Sequence, residues 1–170
     1  RDFKRISDPL SKFGAKFKLK RKRNLPLKIL GISDPKPIKY YEKKGSAQCK
    51  SAVIFAGFRA NGTTTIKAKK SRNHTELLCK YLKLPISVKI RKNFDEIKIK
   101  KIKKITKINY NIPSDISSSA FFIVLTVLTN KSKLIIKNVN INESRVGVVN
   151  ILRKMGVKIN FLNQKIYKGE

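Results

Sequence analysis

Gly45-Ser46-Ala47-Gln48-Cys49-Lys50-Ser51-Ala52-Val53-Ile54-Phe55-Ala56-Gly57-Phe58 decides the fold. A Gly-Ser step precedes a run that is apolar around most of its circumference, so Ser46 to Phe58 is predicted to be a serine-capped, buried helix. Gly62-Thr63-Thr64-Thr65-Ile66-Lys67 follows as a turn and a strand. The same pair recurs further on, with Ser117 to Leu128 as the helix and Lys133-Leu134-Ile135-Ile136-Lys137 as the strand. The interval is near 70 residues, and self-similarity at a fixed period marks a repeated architecture.

A second element keeps the same interval. Asp8 to Phe17 reads as a helix end, a glycine stop at Gly14 and a strand; Asn150 to Ile159 reads the same way around Gly156. Both glycines suit the left-handed position that ends helices, where a Cβ would clash. Leu78 to Leu84 is a third copy without its glycine. The segments 27–32, 38–41, 86–91, 97–102 and 107–110 carry strand signatures, and Ile97-Lys98-Ile99-Lys100 alternates so that Ile faces inward and Lys faces water. At Asn111-Ile112-Pro113-Ser114-Asp115, Pro113 cannot donate to a sheet and Ser114 or Asp115 can cap the next helix. A domain boundary is expected there, giving residues 1–112 and 113–170. Helices buried between strands at a fixed period predict an α/β fold of repeated units, with about two and a half repeats present.

The bulk properties narrow the function. A length of 170 residues and 41% hydrophobic content suffice for a packed core, which excludes disorder from end to end. The longest nearly apolar run, Ala120 to Leu128, is far short of the ~20 residues a membrane span needs. The chain opens Arg1-Asp2-Phe3-Lys4, with no apolar signal block and no initiator Met, so a start inside a longer gene and a cytoplasmic location are expected. Cys49 and Cys79 have no partner at metal spacing and read as small buried thiols; neither a disulfide framework nor a metal site is expected.

Net charge is +31, a value met in nucleic-acid-binding proteins, but 32 of the 41 basic residues are Lys and 9 are Arg. Readers of nucleic acid favour Arg for its bidentate contacts. Scattered Lys with abundant Ile and Asn is what A/T-rich codons supply, so no specific nucleic-acid partner is expected. The excess would still attract small anionic substrates.

Two stretches carry candidate chemistry. Ahead of an apolar helix, Gly45-Ser46 exposes free backbone N–H groups and the positive end of the helix dipole, a ready phosphate site to which Ser46 adds a hydroxyl and Gln48 an amide. The plainer reading is that Ser46 only caps the helix. Ser71-Arg72-Asn73-His74-Thr75-Glu76 resembles a capping box at the start of another helix. Arg72 is misplaced there against the dipole unless it faces an anion. His74, a lone imidazole in a first turn, reads as structural.

These words occur in one order with Pro113-Ser114-Asp115-Ile116-Ser117-Ser118 and Asn142-Glu143-Ser144-Arg145-Val146-Gly147. Together they resemble the EPSP synthase family, 3-phosphoshikimate 1-carboxyvinyltransferases of the Ser-Ala-Gln type, over essentially the whole chain. The resemblance implies the enolpyruvyl transferase fold of repeated βαβαββ units, here incomplete, in two lobes. It implies transfer of the enolpyruvyl group of phosphoenolpyruvate to the 5-hydroxyl of shikimate 3-phosphate, with no metal or organic cofactor, by a protein that is a monomer when complete. Ser46, Ala47, Gln48 and Arg72 would then bind shikimate 3-phosphate. Gln48 and Arg1 would bind phosphoenolpyruvate, Arg1 matching the family's Arg-Pro-Met segment although Asp2 stands where Pro is usual. Ser114 similarly replaces a customary Gly.

The family's catalytic residues fall outside 1–170, so the isolated chain is expected to show no turnover. A sister enzyme acting on UDP-N-acetylglucosamine shares fold and chemistry, and a basic RNA-binding protein is the rival from another class. The Ser-Ala-Gln and Ser-Arg-x-His-Thr-Glu words favour the shikimate enzyme over the former. The ordered repeats count against the latter.

Overall fold

A computed structural model describes residues 3–20 and 24–170. The chain divides into two compact units, 1–106 and 107–170. The expected boundary at Pro113 thus lies six residues inside the second.

In the first unit α1 (Lys4–Ser11) leads into an antiparallel ribbon of β1 (Lys16–Lys20) and β2 (Asn24–Leu30). Then come β3 (Lys39–Glu42), α2 (Ala47–Gly57), β4 (Thr63–Lys69), α3 (His74–Tyr81), β5 (Ile86–Ile90) and β6 (Phe94–Lys100). This is one complete β-α-β-α-β-β unit. Its sheet has the order β3-β4-β6-β5, with β3 and β4 parallel and the other neighbours antiparallel. The parallel pair is joined through α2, as a crossover connection requires. Val53, Ile54 and Phe58 of the α2 segment pack with Ile66 and Ala68 of β4 and with Ile97 and Ile99 of β6. At Gly57, where a Cβ would stand 3.1 Å from the Cβ of Thr64, the helix lies close against β4. Lys98 and Lys100 are exposed between the buried Ile97 and Ile99, as the alternation predicts. β6 begins three residues before its expected start because Asp95 and Glu96 mask the pattern there.

Gly14 and Gly156 both adopt positive φ, at 108° and 91°. In the copy that lacks glycine, Lys83 takes the left-handed position with φ 52°. The amide of Leu84 donates to the Cys79 carbonyl, as that of Val157 does to Leu152. The motif therefore repeats in backbone geometry even where its residue does not.

The second unit holds α4 (Ile116–Leu128) and α5 (Gly147–Lys154) around a small cluster of Ile116, Ile123, Val146, Val149 and Leu152. Two expectations fail here. The segments 107–110 and 133–137 form no strand, and neither do 157–159 after Gly156; the single bridge joins Ser114 to Val139. A strand exists only through a partner ladder, and none forms within this unit. For the same reason α4 is not buried: Phe121 is 80% exposed and Leu128 77%, with Phe122 and Leu125 also exposed. An all-round apolar helix needs a sheet to cover it, and within this unit none does.

Asp115 caps α4, its carboxylate accepting from the Ser117 amide. That bond first, and then the Arg145 guanidinium and Ser118, hold its carboxyl down at about 2 against an ordinary 3.8. A depressed acid stabilises the fold above its ordinary pKa, and the benefit disappears as pH falls through the folded value. Helical circular dichroism should therefore drop between about pH 4 and pH 2, and Asp115→Asn should remove that part of the transition. An identical acid profile in the variant would rule the cap out as its source.

Candidate functional site

β3 delivers Glu42 into the protein interior, where its two carboxylate oxygens accept the Lys44 and Ser46 amides, each at 3.0 Å. This fixes the turn that enters α2. Gly45 has φ 66°, and a Cβ there would stand 3.0 Å from the Lys70 carbonyl, so the end of β4 lies directly against the Gly-Ser step. Ser46 is extended and caps α2, its hydroxyl accepting the Cys49 amide at 3.3 Å. Helix geometry leaves the amides of Ala47 and Gln48 without intrahelical carbonyls. No acidic residue occupies this first turn, and the Gln48 side chain is exposed.

The structure brings Arg72 to the same end of α2. Lys50, in the first turns of the helix, donates from its ammonium to the Arg72 carbonyl at 2.8 Å. One turn of contact further, the hydroxyls of Ser51 and Thr75 meet at 2.7 Å. The Arg72 side chain is exposed. Arg1 lies outside the described residues.

Four participants escaped sequence reasoning. Arg5 on α1 donates to the Ser46 hydroxyl at 3.0 Å, so a guanidinium stands at the positive end of α2 beside the cap. A cation there opposes the helix dipole, as Arg72 does. The signal was local charge placement, but Arg5 is 41 positions from Ser46 and only the tertiary fold joins them. Glu42 and Lys50 were invisible because ordinary surface statistics place such residues in water. Glu76 was misassigned: it does not complete a capping box. Asn73 occupies the cap position without a side-chain cap bond, and Glu76 instead turns inward to pair with Lys50 at 2.5 Å. A buried ammonium requires a counter-charge, and that need outweighs the capping bond. The remaining Glu76 oxygen and the Ser71 hydroxyl are buried without a hydrogen-bond partner.

The cysteines are free and buried. Burial, with a smaller push from Glu76, raises the Cys79 thiol to about 11, which leaves it a poor nucleophile. The Cys49 thiol donates to the Arg5 carbonyl and thereby helps hold α1 beside α2. The arrangement as a whole gathers two amides without intrahelical partners, one hydroxyl, one amide side chain and two guanidinium-bearing residues about the N-terminal end of α2.

The sequence model of EPSP synthase (3-phosphoshikimate 1-carboxyvinyltransferase) matches residues 1–169. A 3-phosphoshikimate 1-carboxyvinyltransferase of Caldicellulosiruptor saccharolyticus is 40% identical over all of this chain and 40% of its own length. That of Bacillus subtilis is 37% identical over 94% of this chain and 36% of its own. The solved structure of EPSP synthase from Acinetobacter baumannii superimposes with a TM-score of 0.79 at 34% identity, covering 99% of this chain and 38% of that one. The chain thus spans about two fifths of the length of these relatives. With the family's sequence pattern and its fold both running from end to end, the chain belongs to the EPSP synthase family.

Proposed function

We propose that the chain is the part of an enolpyruvyl transferase that holds shikimate 3-phosphate, in an enzyme that moves the enolpyruvyl group of phosphoenolpyruvate to the 5-hydroxyl of that substrate and releases phosphate. Residues 1–112 belong to the first lobe and 113–170 open the second, in a protein that works in the cytoplasm as a monomer when complete. The Ser46 hydroxyl and the Ala47 amide bind the shikimate phosphate, Arg72 supplies counter-charge, and Gln48 reaches both substrates. Arg1 is assigned to phosphoenolpyruvate by its match to the family pattern. The observation that carries the reading is the convergence of Ser46, Gln48 and the Arg72 loop on one end of α2, tied together through Lys50. Cationic residues at two helix starts, Arg5 at that of α2 and Arg72 just ahead of α3, make sense when a phosphate dianion offsets them.

Thermal protection and calorimetric binding at 0.15 M salt test this, since screening at that ionic strength suppresses the non-specific pull of the +31 charge. Shikimate 3-phosphate should protect the chain, while shikimate and UDP-N-acetylglucosamine should not. Arg72→Gln should weaken binding about 10- to 100-fold and Ser46→Ala about tenfold, from the loss of charge-assisted hydrogen bonds. Protection by the UDP-sugar instead would transfer the assignment to the sister enzyme. Equal protection by any polyanion, abolished by salt, would reduce the site to charge alone.

A further inference from the structure

Lys50 has no place in the substrate contacts above, yet its environment is unusual. Lysine is almost never fully buried unless paired, and Lys50 is 1% exposed. Its ammonium is enclosed by Glu76 at 2.5 Å and by the Arg72 carbonyl at 2.8 Å. Core packing does not account for this, because an apolar pair of similar volume commonly gives equal or greater stability. What an apolar pair cannot do is hold a backbone carbonyl. The Lys50 amide donates to the Ser46 carbonyl at 3.0 Å, closing the first turn of α2. The same residue therefore grips the two halves of the site, Ser46 through its main chain and Arg72 through its side chain.

We propose that Lys50 is a positioning residue for the phosphate site, fixing the Arg72 backbone relative to Ser46, with Glu76 orienting its ammonium. The proposal rests on the reading of Ser46 and Arg72 as phosphate ligands. Two flanking contacts bracket the Lys50 tie: Gly45 against the Lys70 carbonyl on one side and Ser51 with Thr75 on the other. Among the described residues, only the Lys50 bond reaches residue 72 itself. A guanidinium hung from an unpinned loop meets a phosphate in many geometries, and small misplacement of a binding group has large consequences.

The decisive variant is the double substitution Lys50→Met with Glu76→Leu, which removes both charges without stranding either. Thermal denaturation and shikimate 3-phosphate calorimetry are measured on the same preparations, with Arg72→Gln, Ser46→Ala and the buried-core variant Val53→Ala alongside. The double variant should melt within a few degrees of the parent and bind about tenfold more weakly. Val53→Ala, less stable but with Arg72 still tied, should bind within about twofold of the parent. Parent-like affinity in the double variant, with Arg72→Gln and Ser46→Ala weakened, would overturn the positioning role and leave the site intact. Parent-like affinity in Arg72→Gln and Ser46→Ala would overturn the site reading itself. Should the double variant not fold, Glu76→Gln decides: binding weakened beyond that of Val53→Ala supports the role, and binding equal to it overturns the role.

Discussion

Replacing Lys50 alone by methionine is expected to destabilise the first unit by about 3–5 kcal/mol, the usual cost of stranding one member of a buried ion pair. Methionine matches the lysine stem in length and flexibility, so loss of packing contributes little. The penalty comes from Glu76. Its Oε1 loses the ammonium at 2.5 Å, while its Oε2 has no hydrogen-bond partner to begin with. The Arg72 carbonyl loses its donor in the same step. An uncompensated carboxylate in the interior costs far more than the bonds it made. The midpoint of urea unfolding measures the effect, and an unchanged slope would assign it to the folded state. A loss below about 1 kcal/mol would mean that water reaches Glu76 and that the pair is not an interior one.

The repeat was legible because it is written in features local to a few residues. Glycine stops, serine caps and the alternation at Ile97 to Lys100 each depend on neighbours in the chain, and the first unit bears them out. What failed was whatever depends on a partner far away. Lys133 to Lys137 has strand composition, yet composition supplies no ladder, and the second unit offers that segment no neighbour. The apolar circumference of α4 implied burial, but burial is a relation between two elements, and Phe121 and Phe122 lie exposed within their unit.

The site divides along the same line. Ser46 as a cap could be read from the Gly-Ser step, and Arg72 drew attention through its conflict with the dipole. The charged residues that support them could not. Glu42 at the end of β3, Lys50 and Glu76 are buried, and Arg5 comes from a helix 41 positions upstream of Ser46. Sequence periodicity reports apolar surfaces, and it carries no information about a buried charge whose partner is distant. Glu76 illustrates the cost: its spacing fits a capping box, but its carboxylate is claimed by a lysine 26 positions earlier.

Substituting Gly45 by valine should disable the site and unsettle the fold together, at about 2–4 kcal/mol of stability. Two separate terms lead there. The backbone at Gly45 has φ 66°, a conformation that is a genuine outlier for a β-branched side chain. In addition, a Cβ would stand 3.0 Å from the Lys70 carbonyl, which is backbone and cannot rotate aside. Relief requires the Gly-Ser step and the end of β4 to separate, yet Glu42 holds one side through the Lys44 and Ser46 amides. The shift therefore passes along residues 70–72, and Arg72 moves away from Ser46. Ligand affinity should fall at least as much as in Ser46→Ala, although valine removes no polar contact at all. Gly45→Ala should show a smaller loss in both measurements, since alanine keeps the close contact and the positive φ but lacks the branched side chain. A valine variant that binds shikimate 3-phosphate as tightly as the parent would show that the spacing between the cap of α2 and the Arg72 loop does not govern phosphate recognition.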